Sequence, residues 1–118
     1  MKFAEIVACV LAAVALVFTA AYAAGDAAKG KVLFNDPKFA GGSKACAECH
    51  PNGKGLEKAG TKKEFHVMDQ TQKSLEEAVN VCIVAANKGR AIDVKSPQMQ
   101  DIVAYIRSLS GKKSSSSY

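Results

Sequence analysis

The chain is 118 residues long, 48% hydrophobic but only 7% aromatic, and carries a formal charge of +5. That length bounds it to one small domain. The basic excess lacks the interleaved aromatics of a nucleic-acid stripe, which argues against that partner class; it reads either as a solvated surface or as a docking face for an acidic protein.

Residues 1–23 read as a secretory signal. Lys2 and the free amine make a short basic start, residues 6–18 form an almost unbroken apolar run, and Ala21-Tyr22-Ala23 supplies a small-x-small cleavage pattern. Cleavage is expected between Ala23 and Ala24. The alternative is a retained anchor, since residues 6–24 would make 19 residues of helix, roughly 28 Å at 1.5 Å per residue. The polar breaks at Thr19 and Tyr22 favour cleavage. Cys9 is a poor lipoprotein cysteine because the apolar run follows it, so it leaves with the signal. A periplasmic or other extracytoplasmic location is expected, with membrane association only if the segment is kept. Lys2 and Glu5 cancel, so the whole positive excess stays on residues 24–118. Of these, 24–111 are expected to fold and 112–118 to form a disordered tail, too polar and too simple to pack.

Asp26 can cap a first helix running to about Asn35, stopped by Asp36-Pro37, with Gly30, Val32, Leu33 and Phe34 available for contacts. Gly41-Gly42-Ser43 then leads into Cys46-Ala47-Glu48-Cys49-His50, the C-x-x-C-H pattern of c-type haem attachment. Each residue type has a use at that spacing. Two thiols three residues apart add across the two vinyl groups of one porphyrin, and the adjacent histidine reaches the iron. Closed as a helical turn, Cys46 and His50 share a face as i and i+4. Three rival uses fare worse. A thioredoxin-like motif wants a βαβ context. A zinc site needs two more ligands, and His66 and Cys82 form no second knuckle. A disulfide across so few residues closes too small a loop to stabilise much. One covalent haem c held by Cys46, Cys49 and His50 is therefore expected, with the porphyrin acting as staple and core for a marginal domain.

Pro51-Asn52-Gly53-Lys54-Gly55 is turn chemistry, and an irregular stretch is expected to about Thr71. Ser74 begins a helix whose stripe is Leu75, Ala78, Val79, Cys82, Ile83 and Ala86, ending near Asn87-Lys88-Gly89, where Gly89 suits a C-terminal cap. Ser96 caps and Pro97 opens the last helix. Met99, Ile102, Val103, Ile106 and Leu109 form its buried stripe, Gly111 ends it, and Lys112-Lys113 complement its dipole. No strand pattern or repeat stands out. The expected fold class is all-α: short helices wrapped around one covalently attached haem.

An amino-terminal helix, a C-x-x-C-H turn, a middle helix and an amphipathic last helix resemble a class I-type cytochrome c over most of residues 26–110. The resemblance implies a helix contact in which Gly30 and Phe34 meet Tyr105. It also implies a backbone carbonyl that orients the histidine, supplied in that family by a Gly-Pro or similar pair further along. Here that region reads Lys58-Ala59-Gly60-Thr61, without proline, so the carbonyl is left open. The family's distal methionine belongs to a loop before the last helix, and the matching Gly89-Arg90-Ala91-Ile92-Asp93-Val94 holds none.

Four side chains are candidates for the far side of the iron. Met68 and His66 follow His50 closely, leaving little chain to travel around a porphyrin edge. Met99 is comfortably separated but also belongs to an apolar stripe, where core methionines are common. Cys82 has no remaining cysteine partner and reads as a small buried hydrophobe. However, Asn80-Val81-Cys82-Ile83, Asn87-Lys88-Gly89-Arg90-Ala91 and Ser96-Pro97-Gln98-Met99 together resemble a segment of thiosulfate dehydrogenases and related sulfur-oxidising cytochromes. That resemblance implies that Cys82 is an axial ligand. Met99 is the distal candidate and Cys82 the alternative; a thioether there raises the reduction potential and a thiolate lowers it.

The expected function is a monomeric electron carrier, not an enzyme, passing single electrons between redox partner proteins by Fe(III)/Fe(II) change. The alternatives are a catalytic or electron-accepting haem module in inorganic sulfur oxidation with Cys82 thiolate ligation, and a haem-based sensor with a displaceable sixth position.

Overall fold

The computed structural model describes residues 25–110. The expected signal at 1–23, the tail at 112–118 and Gly111 lie outside the described residues. In chain order the elements are α1 (Ala27–Phe34), a 3-10 turn (Phe39–Gly41), α2 (Cys46–Cys49), two further 3-10 turns (Pro51–Gly53 and Ala59–Thr61), β1 (Phe65–Val67), β2 (Gln70–Gln72), α3 (Leu75–Ala85) and α4 (Pro97–Ser108).

Side chains set the helix starts. Asp26 accepts from the backbone N–H groups of Ala28 and Lys29 at 2.9 and 3.1 Å. Ser74 accepts from Glu77 N–H at 3.2 Å, and Ser96 from Met99 N–H at 3.3 Å with Pro97 at the first position. Each satisfies an otherwise orphaned donor of the first turn.

The long-range frame is the crossing of α1 and α4. A Cβ at Gly30 would overlap the carbonyl of Asp101 and crowd Tyr105, so only glycine lets the two backbones meet this closely. One turn further, Phe34 and Tyr105 pack edge to face, centroids 5.1 Å apart and planes at 62°, a geometry worth about 0.5–1.5 kcal/mol beyond the area it buries. The side-chain carboxylate of Asp101 also accepts from Asp26 N–H at 2.7 Å, tying the start of α1 to α4. The expected contact of Gly30, Phe34 and Tyr105 is present. Val32, by contrast, points outward and is 69% exposed.

The stripe of α4 is buried as expected: Met99, Ile102, Val103, Ile106 and Leu109 all belong to the core. On α3, Leu75, Ala78, Val79 and Ile83 are buried while Cys82 is half-buried. The fold is small and mainly helical, but it is not all-α. The stretch expected to be irregular contains an antiparallel hairpin pairing Phe65 with Gln72, His66 with Thr71 and Val67 with Gln70. Its two central residues, Met68 and Asp69, both have positive φ, at 51° and 61°, as the twist of a two-residue hairpin loop demands. Three-residue strands are too short to show an alternating pattern, and Met-Asp is not a usual residue pair for such a turn.

The end of α3 also differs from expectation. Ala86 caps it, the left-handed residue is Lys88 at φ 61°, and Gly89 is needed for space. A Cβ on Gly89 would stand 2.9 Å from the carbonyl oxygen of Ala40.

Gly30→Ala should destabilise the protein by about 1–3 kcal/mol, the range for overpacking a tight contact. Urea denaturation followed by circular dichroism checks this, and a variant as stable as the parent would show that the α1–α4 crossing can widen freely.

Candidate functional site

Cys46 to Cys49 form a single helical turn, closed by the His50 N–H donating to the Cys46 carbonyl at 3.0 Å. Glu48 reaches back and accepts from the Ala45 N–H, one half of a capping box. His50 leaves the helix with φ −125° and ψ 65°, and its ring turns onto a cleft that Cys46 also lines.

The next turn orients that ring. The Nδ1–H of His50 donates to the carbonyl of Lys54 at 2.9 Å. A carbonyl only accepts, so Nδ1 carries the proton and the Nε2 lone pair is free to bind a metal. The orienting carbonyl lies four residues after His50, not in the 58–61 region. It is aimed by a run of left-handed backbone at Asn52, Gly53 and Gly55, with φ of 53°, 76° and 91°. Gly53 is also pressed against Leu109, so the end of α4 braces the turn.

The cleft is apolar apart from three side chains, Cys46, His50 and Cys82. Phe34, Ile102 and Ile106 contribute from α1 and α4, and Phe65 and Val67 from the hairpin. Leu75, Ala78, Val79 and Cys82 line it from α3, because those positions recur along one helix face. The cavity holds about 100 Å³ and opens to solvent, so its apolar lining suits one edge of a flat macrocycle with the remainder toward the mouth. Cys49 is exposed.

The other sequence candidates are elsewhere. Strand alternation sends Phe65 and Val67 to the cleft and His66 to the opposite face. There His66 Nδ1 lies 3.0 Å from the Thr71 hydroxyl and Nε2 3.4 Å from Glu64. Met68 sits at the hairpin tip, 56% exposed. Met99 is fully buried in the core and is not among the cleft residues. The structure thus brings Cys46, His50 and Cys82 together and leaves Met99, Met68 and His66 away from them.

Burial pushes the Cys82 thiol up, and the neighbouring Cys46 and Cys49 add to the shift. Burial likewise raises Cys46, partly offset by an N–H from Asn87. Among the described residues no group of three or more His, Cys, Asp or Glu could hold a metal ion. A metal at His50 therefore needs most of its donors from a bound group. Two thiols, a histidine with a free Nε2 and an apolar cleft suit a haem bound through its edge and its iron.

Sequence reading missed two asparagines. Asn80 donates to the Ile92 carbonyl at 2.8 Å and accepts from the Ile92 N–H at 2.9 Å, pinning the 88–95 loop to α3. Asn87 donates to Cys46 Sγ at 3.3 Å. An asparagine within an apolar helix and another just past its end are the signals that could have found them.

Residues 29–114 match the sequence profile of the SoxA/TsdA cytochrome c domain. The chain matches no curated protein and no solved structure.

Asn80→Leu should cost about 1–3 kcal/mol, because it leaves both polar groups of Ile92 without partners. Hydrogen exchange at the Ile92 amide checks the mechanism. Exchange there should speed up more than in α4, and an unchanged rate would mean that the loop is held by other contacts.

Proposed function

Since the chain belongs to the SoxA/TsdA cytochrome c domain family, with the covalently bound haem c and haem-based electron transfer that this implies, we propose that it is a monohaem module passing single electrons between redox proteins in inorganic sulfur oxidation. The observation that supports this most is the convergence of Cys46, His50 and Cys82 on one apolar cleft.

In this reading Cys46 and Cys49 would hold the porphyrin edge as thioethers, and His50 Nε2 and Cys82 would be the side chains that hold its iron. Met99 serves the core. The bound group supplies reversible one-electron chemistry at its iron. The chain's own residues tune it. The Lys54 carbonyl fixes the imidazole and strengthens it as a donor. The apolar walls exclude water, and a metal cation is the charge that holds a buried thiol as thiolate. A thiolate at Cys82 lowers the potential relative to a thioether.

Exposed Cys49 marks the edge through which electrons leave. Lys44, Lys54, Lys58, Lys62 and Lys63 are also exposed, and no lysine of the described residues is in an ion pair. They suit an acidic redox partner, with encounter that weakens as salt rises. The protein acts as a monomer outside the cytoplasm, delivered by a signal at residues 1–23. A second reading, an enzyme whose Cys82 thiolate meets a sulfur compound, draws support from the incomplete burial of that thiol.

Spectra of two variants test the ligand. Cys82→Ala should change the axial ligand signature and raise the potential. Met99→Leu should leave both unchanged and cost less than about 1.5 kcal/mol of stability. A far-red sulfur-to-iron band lost in Met99→Leu and retained in Cys82→Ala would make Met99 the ligand. Turnover of thiosulfate by the protein alone would sink the carrier role, and carbon monoxide binding by the unmodified ferrous protein would favour a sensor.

A further inference from the structure

Asn87 is the one buried polar or charged side chain among the described residues, 6% exposed. It lies just past α3, and all its interactions point toward the haem-attachment segment or back to Cys82. Its backbone N–H donates to the Cys82 carbonyl at 3.0 Å. Its own carbonyl accepts from the N–H groups of Ser43 and Lys44, at 2.9 and 3.3 Å. Its side-chain Nδ2 donates to Cys46 Sγ at 3.3 Å, across 41 residues of sequence. Gly42 admits the arrangement, since a Cβ there would come within 2.8 Å of the Asn87 carbonyl oxygen.

One residue therefore grips the loop entering the C-x-x-C-H turn, the sulfur of its first cysteine and the helix that carries Cys82. A buried amide is costly unless it is bonded, so a structural spacer at this position would be better made from an apolar side chain. An amide aimed at sulfur instead fixes where that sulfur points.

We propose that Asn87 is a positioning residue for the Cys46 thioether: it holds Cys46 Sγ toward the cleft for attachment and sets the distance between the attachment turn and the helix of Cys82. This rests on the reading of Cys46 as a haem thioether. In the attachment step the Cys46 S–H bond and a vinyl π bond break, and a C–S and a C–H bond form. Nothing leaves and no net electrons are transferred. Asn87 takes no part in that exchange; it restricts the thiol to the direction in which addition is productive, the advantage that orientation gives any bimolecular step.

The test uses holoprotein from a host that attaches haem, with Asn87→Asp and Asn87→Leu compared with Cys46→Ala. Asn87→Asp keeps the shape but loses the donor; Asn87→Leu removes the polar group altogether. The pyridine haemochrome spectrum distinguishes one thioether from two, and mass spectrometry counts free thiols. Both Asn87 variants should yield mostly haem attached through Cys49 alone, with the spectrum of Cys46→Ala and Cys46 recovered as a free thiol. In a Cys46→Ala background, Asn87→Asp should shift the spectrum no further. Full double attachment in both Asn87 variants would overturn the proposal, as would an undiminished effect of Asn87→Asp without Cys46. If Cys46→Ala itself keeps the parental spectrum, the reading of the site fails instead. Circular dichroism identifies misfolding, and if Asn87→Leu misfolds, the folded Asn87→Asp protein decides the matter.

Discussion

The close crossing of α1 over α4 at Gly30 is the constraint on which the cleft depends. It is the contact that closes the two ends of the described chain on each other, and it carries Phe34 from one helix and Ile102 and Ile106 from the other to the same cleft. Without that closure the attachment turn would still form, because its hydrogen bonds are local. It would have nothing to face. The lost contact would also uncouple Leu109 from Gly53, and with it the brace behind the turn that aims the Lys54 carbonyl.

Two kinds of structure thus meet at the site. The His50 side is built locally: a four-residue helical turn, then left-handed backbone at Asn52, Gly53 and Gly55 that returns a carbonyl to the histidine. The facing side is built at long range, by α3 leaning its apolar face over the cleft. The two sides are joined through Asn87, while Asn80 pins the 88–95 loop to α3. Each such bond is worth only about 1 kcal/mol net, but leaving a buried partner unbonded costs more, so these amides set position more than they add stability.

That division explains what the sequence revealed. Caps at Asp26, Ser74 and Ser96, the α4 stripe and the C-x-x-C-H turn are written in residues close together, and each was legible. So was the Gly30, Phe34 and Tyr105 contact, through its resemblance to a known helix pairing. The hairpin at 65–72 was not, since three-residue strands carry no usable period and the turn lacks glycine or asparagine. Nor was it legible which of Met99 and Cys82 lines the cleft. Met99 and Cys82 both belong to apolar stripes, and a stripe says that a side chain is buried without saying against what. The Lys54 carbonyl was hidden for another reason: backbone acceptors leave no mark on residue identity, and only the left-handed positions after His50 hinted at a turn tight enough to supply one.

The cleft itself shows why cofactor and fold must be read together. Its walls are apolar side chains drawn from α1, the hairpin, α3 and α4, and together they line a cavity of about 100 Å³. A chain this small buries only part of the surface that its unfolded form exposes. The apolar area of the cleft is therefore a debt in the bare polypeptide and a gain once a large flat apolar group covers it. Covalent attachment, proposed at Cys46 and Cys49, prevents that group from leaving, so the stabilisation does not depend on ligand concentration, as it would for a reversible ligand. On this argument the attachment turn does more than display a redox centre. It fixes within the domain the apolar surface that the rest of the sequence was patterned to meet.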